Sequence, residues 1–325
     1  MMTDRPILLT GSAGFVGKII APMLRAAFPD TPVIEVVRGP ETKPGTVACD
    51  LSVKEQTFEL MRDTAPGIVV HLAAYSSVGL SRQNAEAVWR DNVTASVWVA
   101  RAIDQYAPDA LVLAASSAEV YGRALNDGTV DETTRPRPNG PYACSKVVAE
   151  HTFMSMLPET ARLIVARPFN HIGVGQTETF AIASFAAQLA RMEAGLVPPV
   201  MKVGNLSAAR DIMDVRDVAA TYVALLKLAD RLPQRSILNI ARGEATKMET
   251  LLDKLRAMAS VPVRVEVDPA RLRPNEIAVA TASTERLRKL MPWPPERSID
   301  DTLRAVLDDK RRVVREKEVP LATPS

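Results

Sequence analysis

The sequence predicts an α/β fold, a doubly wound parallel sheet with a smaller C-terminal lobe. Three observations carry that expectation. Ile7-Leu8-Leu9 is an unbroken apolar run, which suits a strand covered on both faces. Gly11, Gly14 and Gly17 follow at a G-x-x-G-x-x-G spacing, and a helical pattern begins at Phe15. Short apolar runs then alternate with amphipathic stretches, which is the signature of βαβ units.

The opening turn has a physical logic. Gly11 lets the chain turn without a Cβ clash. Gly14 lets backbone N–H groups approach a pyrophosphate at the positive end of a helix, and Gly17 lets that helix pack close to its strand. Between a strand and a helix, this triplet reads as a dinucleotide-binding, Rossmann-type turn; the bland alternative is a tight βα turn with no ligand. Gly11, Ala13, Gly14, Phe15, Val16 and Gly17 are the candidate contacts there.

The elements follow in order. The first helix covers residues 15–27 and ends at Phe28-Pro29-Asp30-Thr31-Pro32. Strands are expected at 33–37 and 46–49, a helix at 54–63, a strand at 67–72, a long helix at 84–106 and a strand at 110–114. A polar, proline-rich loop leads to Pro141, which fits the first turn of a helix, where its missing N–H does no harm. That helix carries Tyr142 and Lys146, and a strand at 163–166 follows. Beyond Phe169 the pattern loosens into a helix at 180–193, a segment at 200–211 and a helix at 215–228. A strand at 236–240 returns to the sheet; a helix at 248–259, a strand at 263–267 and a proline-interrupted remainder complete the chain. The expected division is a coenzyme-binding domain over 1–169 with returning segments near 212–242, a mainly substrate-binding lobe over 170–315, and a loose charged tail over 316–325. The cleft between the lobes, at the carboxyl ends of the strands, is the default site.

Composition excludes several classes of function. With 47% apolar and 24% charged residues the chain reads as an ordinary soluble protein. The net charge is +2 and the basic residues are scattered, so neither nucleic acid nor a membrane surface is an expected partner. Cys49 and Cys144 cannot make a disulfide framework, which points to a reducing compartment. No apolar run approaches the ~20 residues of a membrane span, and Asp4 and the glycine turn stand where a leader would be. A cytoplasmic location is the expectation. His71, His151 and His171 show no metal-ligand spacing, so no metal is expected.

Tyr142 and Lys146 are four apart and share a helix face. An ammonium beside a phenol favours phenolate, which would lower the tyrosine pKa and fit it for acid–base work. Ser117 lies just past a strand end, where its hydroxyl can donate to a carbonyl oxygen beside Tyr142. For Ser116 the expected role is turn chemistry. Arg38 follows the second strand, where it can meet a ribose 2′-phosphate; Glu35 comes too early to bind a 2′-hydroxyl, so NADP(H) is expected over NAD(H). Trp89, Val93 and Val97 form a stripe suited to core or a subunit contact.

Together these features resemble the extended short-chain dehydrogenase/reductase superfamily of nucleotide-sugar enzymes. Thr10-Gly-x-x-Gly-x-x-Gly17, Asp50-Leu51, His71-Leu72-Ala73-Ala74, Ser117, Val120-Tyr121-Gly122, Tyr142-x-x-x-Lys146 and Arg167-Pro168-Phe169-Asn170 occur in that family's order, over nearly the whole chain. The resemblance implies that Ser117, Tyr142 and Lys146 are catalytic. It also implies that Asp50 contacts adenine, that Leu51, Leu72, Ala73, Ala74 and Pro168 line the coenzyme, that Tyr142 and Lys146 contact it as well, and that Asn92 organises the site.

In the second half, the segments from Arg167 to Gln176, from Val203 to Asp217 and from Asp268 to Glu276 are similar to GDP-4-keto-6-deoxymannose reductases. That similarity implies a GDP-sugar held by Asn170, Arg210, Arg273 and Glu276, with arginine forks facing a diphosphate. Glu119 stands where related dehydratases carry an acid–base glutamate, so it either contacts substrate or drives loss of water. A 4,6-dehydratase or 4-epimerase therefore remains open, as does a coenzyme-binding protein without turnover. By the same analogy a homodimer is expected through the helices near 84–106 and 142–157.

Overall fold

The computed structural model describes residues 5–40, 44–272, 277–292 and 297–318. The alternating half runs β1 (Ile7–Thr10), α1 (Phe15–Ala27), β2 (Val33–Val37), β3 (Thr46–Ala48), α2 (Lys54–Thr64), β4 (Ile68–His71), α3 (Ala85–Trp89), α4 (Ala95–Tyr106), β5 (Leu111–Ala115), α5 (Pro141–Met156) and β6 (Arg162–Pro168). The second half adds β7 (Asn170–Ile172), α6 (Ala181–Glu193), β8 (Val200–Val203), β9 (Ala209–Asp214), α7 (Val215–Lys227), β10 (Arg235–Ile240), β11 (Ala245–Lys247), α8 (Met248–Ala257), β12 (Arg264–Val267), β13 (Val279–Ala280), α9 (Glu285–Leu290) and α10 (Ile299–Glu318).

Seven strands form one sheet in the order β10-β6-β5-β4-β1-β2-β3, with every pairing parallel. The order reverses between β1 and β4, which opens a crevice at their carboxyl ends. Alternation along β1 decides which face each residue serves. Ile7 and Leu9 pack with Ile20 and Leu24 of α1 and with Val218 and Tyr222 of α7. Leu8 packs on the other face with Met61 of α2, Val99 and Ile103 of α4 and Phe153 of α5. Both faces are covered, as the apolar runs require. The returning strand expected at 236–240 is β10, paired with β6 from Arg235 to Ile240.

A second core joins Phe185 and Leu189 of α6, Leu251 and Leu255 of α8, Met201 and Val203 of β8, and Leu303 and Leu307 of α10. The segment 200–211 resolves into two strands: β8 pairs β12, while β9 takes β7, β11 and β13. The remainder of the chain holds a longer helix than the solvated helix end expected from Lys310. Residues 299–318 form a 20-residue helix, capped where Asp301 N donates to Ser298 Oγ at 3.1 Å. Its apolar positions fall at helical spacing between charges, so the helix is amphipathic and docks on α6. The expected helix over 84–106 is interrupted: residues Arg90–Thr94 form a π turn between α3 and α4.

Candidate active site and coenzyme cleft

The glycine turn is built as its sequence requires. Gly11 has φ +70°, and a Cβ there would lie 2.7 Å from Ala73 N. A Cβ on Gly17 would lie 2.2 Å from Gly11 O, so α1 could not pack where it does. Thr10 Oγ1 accepts from Leu72 N and Ala73 N, both at 3.2 Å, which ties the end of β1 to the end of β4. Ser12 Oγ donates to Val36 O at 3.1 Å and fixes the turn to β2. Helix α1 starts at Gly14 with no side-chain cap and no acid in its first turn. Its first turn therefore carries no carboxylate to compete with a phosphate at the positive end.

An open cleft lies over this turn, lined by Gly11, Ala13, Val36, Arg38, Leu51, Ala73, Ala74 and Asp91 among others. The small residues Gly11, Ala13, Ala73 and Ala74 leave the backbone of the turn open to a dinucleotide. Asp50 stands at the same rim, its Oδ1 accepting from Ser52 N at 2.9 Å. Glu35 is buried in mid-strand and paired with Arg25 at 2.6 Å, away from the strand end, as its early position led us to expect.

The Ser–Tyr–Lys group assembles at the carboxyl end of β5. Ser117 caps a short 3-10 turn, where its Oγ accepts from Glu119 N at 3.2 Å. Turn chemistry and proximity to the phenol thus coexist in one side chain. Tyr142 opens α5 behind Pro141 and is 8% exposed. Burial pushes its phenol up to about 12; a hydrogen bond with Ser117 pulls it down, and the nearby Glu119 carboxylate pushes it up. This reverses the expected lowering by Lys146. The lysine Nζ is turned to Ala115 O at 2.9 Å, and desolvation dominates at the phenol. Burial brings the Lys146 ammonium down to about 8, with the Glu150 carboxylate holding it up.

Residues 7–241 match the NAD dependent epimerase/dehydratase family. The chain belongs to that family. A GDP-6-deoxy-D-mannose reductase of Pseudomonas aeruginosa is 33% identical over 318 residues, covering 97% of this chain and all of the relative. A GDP-6-deoxy-D-talose 4-dehydrogenase of Aggregatibacter actinomycetemcomitans is 24% identical over 288 residues, covering 88% of this chain and 90% of the relative. Among solved structures, RMD from Pseudomonas aeruginosa complexed with NADPH superposes with a TM-score of 0.81 at 30% identity, covering 95% of this chain and 99% of that one. The protein is an NAD(P)-dependent enzyme of the epimerase/dehydratase family.

In this family member several residues with no role assigned from sequence support the site. Glu150, one helical turn beyond Lys146, accepts from Ser116 Oγ and makes a bidentate pair with Arg167 at 2.9 and 2.7 Å. Ser116 therefore serves this buried network, not only a turn. Arg167 stacks over Tyr121 at 4.9 Å, and Tyr121 OH donates to Asn239 Oδ1 at 2.7 Å. The i, i+4 spacing of Lys146 and Glu150 was the available signal. His71 is kept neutral, pushed down to about 3 by burial and by the Lys146 charge. His171 bonds Phe169 O at 3.0 Å and stacks on Phe15, a structural placement.

On the sugar side, Asn170 is exposed at the start of β7, next to β9. Arg210 on β9 donates to Ala209 O at 2.9 Å and to Ile277 O at 2.8 Å. Pro168 ends β6, and Phe15 and Val16 lie in the first turn of α1. Arg273 and Glu276 lie outside the described residues. Among the described residues no group of three or more His, Cys, Asp or Glu could hold a metal ion, and no helix is long and apolar enough to cross a membrane.

Proposed function

We propose that this enzyme is an NADPH-dependent reductase of the C4 ketone of GDP-4-keto-6-deoxy-D-mannose, giving a GDP-6-deoxyhexose such as GDP-D-rhamnose. The observation that carries the reading is Ser117 hydrogen-bonded to Tyr142, with Lys146 one turn along α5 lining a pocket that shares Ala73 with the glycine cleft. The near full-length identity to a GDP-6-deoxy-D-mannose reductase supports the substrate.

In this reading the coenzyme lies against Gly11, Ala13, Gly14, Leu51, Leu72, Ala73 and Ala74, and when bound it supplies a hydride. Tyr142 is protonated at neutral pH, so it arrives as the acid that gives a proton to the forming alkoxide. Ser117 holds that oxygen, and its donated hydrogen bond strengthens as charge develops. Lys146, charged below about pH 8, fixes the local potential from the next helical turn. Arg38 at the end of β2 meets the 2′-phosphate, which favours NADP(H) over NAD(H). Asn170, Arg210, Arg273 and Glu276 hold the nucleotide sugar. A homodimer forms through α3, α4 and α5, where Trp89 and Val148 are exposed.

The test is direct. Protein mixed with the keto-sugar and NADPH should consume NADPH in proportion to ketone. Glu119 favours a second reading, because its carboxylate lies close enough to Tyr142 to raise the phenol's pKa. That reading is a 4,6-dehydratase or 4-epimerase with no net coenzyme oxidation. Loss of water from GDP-mannose, with NADPH unconsumed, would select it. A thermal-shift panel of GDP-, UDP-, CDP- and dTDP-sugars tests the base.

A further inference from the structure

Two guanidiniums share one nearly buried carboxylate in the wall of the coenzyme cleft. Asp91 is 8% exposed, yet it faces the same cleft as Gly11, Ala13 and Leu51. Arg38 grips it with two nitrogens: Nη1 donates to Oδ2 at 2.9 Å and Nη2 lies 2.9 Å from Oδ1. Arg90 reaches the same carboxylate, Nε donating to Oδ1 at 2.9 Å. The Arg38 and Arg90 side chains are 52% and 55% exposed. Asp50 adds a looser contact, 3.8 Å from Arg38 Nε. The cluster depends on the π turn, which buries the consecutive polar residues Asp91 and Asn92 and sends them to different sites.

The charges decide what this cluster can bind. Two arginines and two aspartates sum to zero, so the site is compensated before a ligand arrives. NADPH and NADH differ there by one group, a 2′-phosphate of about −1.5 to −2 charges against a hydroxyl. A phosphate at these half-exposed forks competes with Asp91 for their donors, and the carboxylate repels it. A hydroxyl can donate to Asp91 and leave both ion pairs in place. Once displaced, Asp91 releases two planar donors, a stronger phosphate clamp than one.

We propose that Asp91 sets the selectivity between NADPH and NADH, opposing the phosphorylated form, and that Arg90 joins Arg38 in holding the 2′-phosphate. This rests on the coenzyme reading above. The test is equilibrium binding by calorimetry of NADPH, NADH, 2′,5′-ADP and 5′-AMP to the wild type and to R38Q, R90Q and D91N. R38Q and R90Q should each weaken NADPH and 2′,5′-ADP by about tenfold, the scale of one charged hydrogen bond, and leave NADH and 5′-AMP within about twofold. D91N should tighten 2′,5′-ADP by about tenfold and weaken NADH. The proposal is overturned if R90Q affects both coenzymes equally or neither, or if D91N moves both in the same direction. Should D91N fail to fold, R90Q decides the Arg90 half and D91S, titrated with the same four ligands, decides the Asp91 half. A wild type that binds NADH more tightly than NADPH would sink the coenzyme reading itself. Wild-type preference for NADPH with an inert R90Q would sink only this inference.

Discussion

Asn92 Nδ2 donates to Ser145 Oγ at 2.9 Å, and Ser145 Oγ donates onward to Tyr142 O at 2.8 Å. The same asparagine brackets Tyr75, accepting from its N at 2.7 Å and donating to its O at 3.2 Å. One side chain on the π turn therefore fixes both the start of α5 and the loop after β4. Asn92→Ala should cut kcat by about a hundredfold, the cost of misplacing a reacting group by roughly an ångström. It should also lower unfolding stability by about 1–3 kcal/mol through the buried partners left unpaired. Steady-state kinetics and urea titration check both. An unchanged kcat would show that the clamp positions nothing.

Tyr142→Phe removes the proton donor and little volume. With the phenol as acid, turnover should fall by about 10²–10⁴-fold while NADPH binding stays close to wild type. Single-turnover kinetics separates the two effects. Retention of more than a tenth of wild-type turnover would mean that the proton comes from elsewhere.

Legibility in the sequence followed locality. The glycine turn, the Tyr142–Lys146 pair and the apolar strands are short-range patterns, and the fold places them as read. The helix Ile299–Glu318 carries a serine cap and apolar residues at 303, 306 and 307, a helical period that the prolines just before it interrupt on its N-terminal side. Asp91 and Arg90 were not legible. Their meaning comes from a π turn that no spacing rule announces, and from the approach of Arg38 across 53 residues of chain. The sign of the Tyr142 pKa shift is not fixed by the sequence, because adjacency on a helix face does not say where an ammonium turns; Lys146 turns to Ala115 O.

Lys146 sets the pH dependence. Its pKa is depressed from the ordinary 10.5 to about 8, chiefly by burial. Activity that needs the ammonium should therefore decline above about pH 8, whereas Tyr142, at about 12, does not titrate there. The stability effect has the opposite sense. Between about 8 and 10.5 the unfolded chain keeps a proton that the folded chain has shed, so this group makes stability rise with pH across that window. Lys146→Met should abolish both the alkaline limb and the stability increment. A limb that survives near pH 8 in the methionine variant would belong to another group.

The buried pair between Glu150 and Arg167 links stability to that titration. Both side chains are nearly fully buried, at 7% and 3% exposure. Arg167→Met leaves the Glu150 carboxylate without its bidentate partner and should cost about 3–5 kcal/mol. Removing both charges in R167M/E150M should recover much of that loss, because no uncompensated ion then remains inside. The double variant should also move the alkaline limb below pH 8, since the carboxylate that holds up the Lys146 pKa is gone. The single variant, which keeps Glu150, should not move the limb downward. Urea unfolding with pH–rate profiles on both variants decides it. A double variant as unstable as the single one, with an unmoved limb, would show that Glu150 acts on neither folding nor the lysine.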